Sequence, residues 1–458
     1  MMPGVAETGA VPWRDVFSGR RGRLTAGLLL LEALVAIQAL VIATIMPDIR
    51  RDLGMVQLYG LAFTAPSLAT IAAIPVAGRA VDRYGPGRIL TPALGLFVAG
   101  LVVSAAAPGM PVLLVGQFLQ GAGAGGLYTL SIGTVAKTYP DRMRARVMAL
   151  LASMWILPGL LGPGLGALIA STVGWRWAFV APMPVLAVAW ILVGPSLGGV
   201  PAGEDGERLP IRWPLQLMVG AGLAFTSLTF VRWWAIPMLA AGLALGIPAL
   251  TRIVPRGTFR AAPGLPAAAA AAFLLSLGFM AVDAFVTLML TQVRGLSLAE
   301  AGVAITLATI TWAAGSAWQS GRTERAALPR LLTLGVGLVA TGEAAVATGL
   351  VAAVPVAVCY AGWAVVGAGM GISFPTIPLS AMRASAVGTE AGQVSGVLLT
   401  DMLGVATGAG IGGGMIAVAR ATGAGVTAGL AGAFALGIAT MLVLLAVARR
   451  IPGAPVEV

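Results

Sequence analysis

The chain has 458 residues, of which 58% are hydrophobic and 10% charged, and its mean hydropathy is +0.95. A soluble chain of this length would carry roughly a quarter charged residues, so the composition excludes an ordinary soluble protein and identifies a polytopic helical membrane protein. The absence of histidine and the presence of one cysteine, Cys359, exclude His-based catalysis, His-ligated metals, internal disulfides and Cys-rich metal sites.

The first apolar run, 24–46, follows Arg14, Arg20, Arg21 and Arg23. It is too long for a secretory signal and lacks a small-residue cleavage site, so a retained helix is expected. Further spans are predicted at 58–77, 89–107, 111–136, 147–170, 178–195, 213–230, 234–252, 265–290, 300–319, 329–351, 354–377, 393–419 and 424–447. That makes about fourteen, each near the twenty residues that cross ~30 Å of hydrocarbon. A single re-entrant element is the alternative for 213–252. The longest loop, 196–212, carries Glu204, Asp205 and Glu207 among Gly and Pro and reads as a flexible linker.

The net charge is +11, with a pI near 11.2. With the N-terminus inside, 22 of the 28 basic residues fall in cytoplasmic segments, and Arg50, Arg51, Arg176, Arg232, Arg294 and Arg420 remain outside. This asymmetry follows the positive-inside rule. The basic surplus therefore sets topology and contacts anionic lipid heads; nucleic acid is not an expected partner. Both termini are expected inside, and Trp175, Trp177, Trp213, Trp233 and Trp234 fall at span ends, as an interfacial belt requires.

A duplication runs through the chain. Residues Ala36 to Val41 in the first span match Ala281 to Val286 in the ninth, which sets Gln38 against Asp283. Gly121, Gly123 and Gly125 in the fourth span match Gly367, Gly369 and Gly371 in the twelfth. Gly78, Asp82 and Arg83 have a degraded counterpart in Gly321, Glu324 and Arg325. The shared order predicts six helices, two inserted helices and six more: 1–195, 196–264 and 265–458. Two parallel-related bundles around a midplane site can alternate access.

Several segments are similar to a known family. Gly78-Arg79-Ala80-Val81-Asp82-Arg83-Tyr84-Gly85-Pro86-Gly87-Arg88 resembles the helix 2–3 loop signature of the major facilitator superfamily. Gln120-Gly121-Ala122-Gly123-Ala124-Gly125 resembles its helix-four motif. Gly162-Pro163-Gly164-Leu165-Gly166-Ala167 is similar to the antiporter signature of helix five, and Trp175-Arg176-Trp177-Ala178-Phe179 to the opening of helix six. Gln292 to Ser297, with Ala301-Gly302, resembles the outer loop after helix nine. Over nearly the whole chain the resemblance is to the fourteen-helix drug:proton antiporter family. It implies an all-α membrane protein of the major-facilitator type, with two six-helix bundles, two inserted central helices and both termini cytoplasmic.

The residues support separate physical readings. In the gating loop (Gly78, Asp82, Arg83, Gly85, Arg88), glycine allows a tight turn. Asp82 can accept from a neighbouring helix N-terminus or pair with Arg83 or Arg88, forming a latch for one access state; the plainer alternative is a turn with a positive-inside anchor. In helix five, Gly162, Pro163 and Gly166 give a bendable, closely packing segment. Two departures stand out. Where relatives carry an aspartate in helix one this chain has Gln38, and where they carry an arginine in helix four it has Gln117.

Four acids, Glu32, Asp283, Glu343 and Asp401, fall within predicted spans that hold no deep Lys or Arg. A charge at the bilayer centre costs roughly 2.5–3.5 kcal/mol on insertion scales, so a lone carboxyl there favours its protonated form and can carry a proton or balance a cation. If the family layout holds, Asp283 and Glu32 line a central cavity. Glu343, on a peripheral helix, is expected in a structural or lipid-facing role, and Asp401 in a cytoplasmic vestibule. Gln38, Gln117 and Gln120 can bind substrate or bridge helices. Phe285, Trp155, Trp312 and Trp318 can form an apolar wall or simply pack.

The expectation is a bacterial inner-membrane, monomeric, multi-pass secondary transporter without cofactor or enzymatic activity. It would export hydrophobic small molecules, cationic ones included, in exchange for protons. Its alternatives are an exporter of lipid or specialised metabolite with altered or absent coupling and, more remotely, a membrane receptor.

Overall fold

A computed structural model describes residues 16–53, 61–154, 165–166, 168–198, 200, 210–228, 233–296, 298–323, 328–385 and 390–451. Among these residues the chain is helical throughout and contains no strand. The first part comprises α1 (Gly19–Leu53), α2 (Leu61–Tyr84), α3 (Pro86–Ala105), α4 (Met110–Thr138), α5 (Asp141–Ser153) and α6 (Met183–Leu197). Two central helices follow, α7 (Arg212–Leu228) and α8 (Ala235–Ile253). The last part comprises α9 (Leu265–Leu288, prolonged by a π-turn Met289–Val293), α10 (Leu298–Ser320), α11 (Leu328–Ala347), α12 (Val356–Ala384), α13 (Glu390–Ala421) and α14 (Gly425–Ala448).

Ten spans among the described residues are long and apolar enough to cross a membrane. They comprise a segment of α1, the run Trp177–Leu197 that contains α6, and α3, α8, α9, α10, α11, α12, α13 and α14. The sequence expects about four more. α4, one of the remainder, is interrupted by Gln117, Gln120 and six glycines, and part of the predicted fifth span lies outside the described residues.

Helices this poor in large polar groups associate through backbone proximity, and glycine permits it. α4 is gripped on two sides. Towards α2, a Cβ on Gly121 would collide with the Pro66 carbonyl and one on Gly125 would press on Thr70; towards α3, Gly116 and Gly123 face Gly100 and Phe97. The same pattern recurs around α12. Gly367 and Gly371 lie on the Ala308 and Trp312 carbonyls of α10, and Gly362 and Gly369 lie on Gly342 and Gly335 of α11. The ends close alike too. Arg20 at the start of α1 donates to the Ser196 carbonyl of α6 at 3.2 Å, and the Gly264 N–H before α9 donates to the Arg450 carbonyl after α14 at 3.0 Å.

The first and last groups of helices meet where α2 and α4 pack on α13 and where α5 packs on α10 and α12. The region 213–252 forms two helices packed on each other. α7 and α8 cross at Gly220, Gly242 and Gly246, and α7 rests on both α2 and α13. Trp213 lies beneath the guanidinium groups of Arg212 (4.6 Å) and Arg252 (5.4 Å), as an interfacial tryptophan would. Trp175 and Arg176 tie the ends of several helices together. The Trp175 indole donates to Asp52 at 2.8 Å, Arg176 donates to Asp52 at 3.3 Å and to the Ala107 carbonyl at 3.2 Å, and Arg176 stacks on Trp175 at 4.2 Å. The indole hydrogen bond, and then the guanidinium, hold the Asp52 carboxyl below its ordinary range.

Candidate functional site

One turn of α9 separates Phe279 from Asp283, so both lie along one side of the helix. Asp283 shares a partly exposed stripe with Met280, Ala284, Thr287 and Thr291, and it makes no hydrogen bond or ion pair with any described residue. Phe279 anchors an aromatic cluster. Its ring stacks on Trp363 of α12 (5.8 Å, 6°) and meets Trp312 of α10 edge-on (5.6 Å, 80°); Trp312 in turn meets Phe374 of α12 (5.8 Å, 60°). The backbone of Trp312 is pinned by Gly371, yet its buried indole N–H has no hydrogen-bond partner.

The first six helices bury several polar side chains of their own. Gln38, in the register of Asp283, is buried on α1, and both atoms of its amide lack a partner. Glu32 is buried one and a half turns earlier. Tyr128 of α4, half-buried, lies in the electrostatic field of both Asp401 and Glu32, which brings acids from α13 and α1 to the surroundings of one phenol. Tyr128 was missed in the sequence. Its only signal is being one of five tyrosines, set inside the glycine-rich stretch of α4.

Several expected placements change. Asp401 does not open into a vestibule: it is buried and accepts a hydrogen bond from the Ser276 hydroxyl of α9. Glu343 is not lipid-facing. It is fully buried in protein where α11 meets α14, close to Gly437, and neither carboxyl oxygen has a partner. Gln117 and Gln120 bridge helices instead of reaching a cavity. The Gln120 amide donates to the Ser104 hydroxyl at 2.8 Å and to the Gly100 carbonyl at 3.3 Å, both on α3, and Gln117 donates to Ser104 at 3.4 Å. Phe285 is half-buried against Gly412 and Gly413 of α13. Trp318 stands apart from the aromatic cluster, exposed near the end of α10 beneath the Arg322 guanidinium at 4.2 Å. Trp155, Gly162 and Pro163 lie outside the described residues; Gly166 is buried.

The end of α2 reaches from the first part of the molecule to the last. Asp82, buried at the end of α2, pairs with Lys137 of α4 at 3.1 Å and accepts the backbone N–H of Gly392 at the start of α13. Its partners include a lysine 55 residues away and a helix N-terminus. Arg83 stacks on Tyr84 (5.2 Å), and Arg88 is exposed. Gly85, with φ 78°, occupies the left-handed region that glycine tolerates and turns the chain into α3; Gly78 is buried one turn before Asp82. Because the Asp82–Lys137 pair is nearly out of solvent, losing one member leaves an uncompensated charge. Among the described residues no group of three His, Cys, Asp or Glu is arranged to hold a metal ion.

The profile of the Major Facilitator Superfamily matches residues 28–400. A probable multidrug-efflux transporter of Mycobacterium tuberculosis is 26% identical over 91% of this chain and 91% of its own length. A triacylglyceride transporter of Mycolicibacterium smegmatis is 28% identical over 51% of this chain and 46% of its own. Among solved structures, a human organic anion transporter superposes with a TM-score of 0.71 at 15% identity, covering 93% of this chain and all of that one. An outward-facing bacterial homologue of the iron transporter ferroportin gives 0.67 at 12% identity, covering 94% and 99%. At these identities the structural likeness concerns the fold alone.

Proposed function

The chain belongs to the major facilitator superfamily, and it is a transporter, not an enzyme; we propose that it exports hydrophobic small molecules, cationic ones included, across a bacterial cytoplasmic membrane in exchange for protons. The observation that carries this reading is Asp283, a partly exposed carboxyl without a cationic or hydrogen-bonding partner on a membrane-crossing helix. Such a group is expensive to leave charged in hydrocarbon. It can take a proton from one side of the membrane or pair with a cation from the other, and competition between the two couples export to proton entry. Glu32 and Asp401, gathered near Tyr128, supply further proton-accepting groups between the first and last helices.

The proposed architecture is two six-helix bundles, 1–195 and 265–458, flanking the central helices of 196–264, fourteen spans in all with both termini cytoplasmic. The recurring glycine crossings support the duplication. The bundles rock about the facing stripes of α1 and α9, and Asp82, joined to Gly392, latches the cytoplasmic end in the state described here. A relative named a multidrug-efflux transporter matches over nine-tenths of the chain and supports the export direction.

A second reading, export of a lipid or specialised metabolite with altered or absent coupling, is favoured by one specific observation. Gln38 stands, neutral and unpartnered, where related antiporters carry an acid. Cells expressing the protein separate the two when loaded with a panel of fluorescent cations and acyl lipids, with and without a proton uncoupler. Proton-coupled export predicts lower accumulation that the uncoupler restores. Export unaffected by the uncoupler rejects coupling and leaves the second reading.

A further inference from the structure

The internal duplication makes a controlled comparison possible within one chain. In the register that pairs Gly121 with Gly367 and Gln38 with Asp283, the counterparts of Phe279, Trp312, Trp363 and Phe374 are Leu34, Thr70, Gln117 and Tyr128. At the α2–α4 crossing, Thr70 donates to the Gly121 carbonyl at 2.8 Å. At the matching α10–α12 crossing, Trp312 occupies the equivalent place and its indole N–H bonds to nothing. The fold therefore does not need an aromatic residue there to bring the helices together. The first half makes the same crossing with a small residue whose polar group is satisfied. In the second half a large ring and an unpaired donor have been placed one helix away from the Asp283 stripe, among rings that offer no oxygen acceptor.

A buried donor without an acceptor costs on the order of 1–3 kcal/mol, which a ligand carrying an acceptor recovers on binding. We propose that Phe279, Trp312 and Phe374 form a ligand subsite in which the Trp312 indole N–H donates to an oxygen acceptor, such as an ester or amide carbonyl, on an otherwise apolar compound. The rings provide flat apolar contact, and the indole selects among apolar compounds by their oxygen. In the state described here the N–H is covered, so the ligand reaches it as α10 moves against α12 and α9. The inference rests on the export reading, narrowing its substrate class from hydrophobic compounds in general to those with an acceptor near one end.

Two probes test it on the full-length protein in lipid nanodiscs: rhodamine 6G, which carries an ethyl ester, and tetraphenylphosphonium, which has four phenyl rings and no oxygen acceptor. Trp312→Phe keeps a ring and removes the N–H. The expected result is a loss of about tenfold in rhodamine 6G affinity with tetraphenylphosphonium changed less than twofold. In wild type, the Trp312 indole ¹⁵N–¹H resonance is expected to move downfield on adding rhodamine 6G and to stay in place with tetraphenylphosphonium. The resonance is assigned through Trp312→Phe or, should that variant fail to assemble, Trp312→Tyr. Equal losses for both probes, no change for either, no binding of rhodamine 6G by wild type, or an unmoved indole resonance overturns the subsite. Failure of the export reading shows elsewhere, as absent uncoupler-sensitive efflux in cells, and does not alter the binding comparison.

Discussion

The two helical repeats share a skeleton and differ in the side chains set on it. Around α4 and around α12 the same glycine triplet admits two neighbouring helices to within backbone contact. At positions that the duplication pairs, the first repeat carries Gln38, Thr70, Gln117 and Tyr128, and the second carries Asp283, Trp312, Trp363 and Phe374. The Asp82 contact is equally one-sided: Asp82 belongs to the first repeat and accepts from the start of α13 in the second. Positions that set helix spacing have stayed alike, and the polar and aromatic positions beside them have diverged. That is the division expected if the first are scaffold and the second are chemistry.

The largest effect is expected from breaking what is shared. Gly121→Val and Gly367→Val each drive a side chain into a carbonyl of the crossing helix. Overpacking of this kind costs about 1–3 kcal/mol or more, so both variants should lose most of their folded yield in detergent, to a similar degree. Size-exclusion profiles and melting curves read this; a well-folded Gly367→Val beside a collapsed Gly121→Val would break the equivalence of the repeats. A smaller, state-specific effect is expected from this one-sided contact, the proposed latch. Asp82→Asn removes the charge that pairs with Lys137 and weakens the acceptor for Gly392. It should shift the population towards separation of α2 from α13, visible as a longer inter-label distance in spin-echo spectroscopy across that end and a transport rate lowered severalfold. Unchanged distances and rates would reduce Asp82 to a topology element.

The smallest effect concerns the opposite end of α1. Asp52 has a depressed pKa in the folded protein, so its bonds to Trp175 and Arg176 contribute above the ordinary aspartate range, about pH 3.9, and are lost as pH falls through the lower folded value. Acidification below about pH 4 should therefore change Trp175 fluorescence in wild type and leave Asp52→Asn flat. Because Asp52 is more than half exposed, the accompanying stability change should be slight and salt-dependent. Identical titrations of the two proteins would remove the assignment.

Much of the scaffold was legible in the sequence because its causes are local: apolar runs of bilayer length, basic residues at their ends, and glycines at a spacing that puts them on one helix face. The destinations of polar side chains were less legible because they depend on the neighbouring helix. Nothing in α4 announces that Gln117 and Gln120 would find Ser104, and nothing near Asp82 announces Lys137. Glu343 appeared peripheral by its place in the helix order, but Gly437 of α14 leaves room for its carboxyl inside the protein. Asp401, placed in a vestibule by its distance along the span, is buried with Ser276. Tyr128 drew no notice because its importance comes from two acids on helices far away in sequence.

The central claim is that an unpartnered carboxyl on α9 exchanges protons as the molecule changes access. It is tested most directly by substrate-induced proton movement in proteoliposomes carrying a pH-sensitive dye, comparing wild type with Asp283→Asn. The account predicts a proton flux in wild type upon adding rhodamine 6G and a flux at least about tenfold lower in Asp283→Asn, with the variant still folded and inserted. Equal proton fluxes in the two proteins would contradict it.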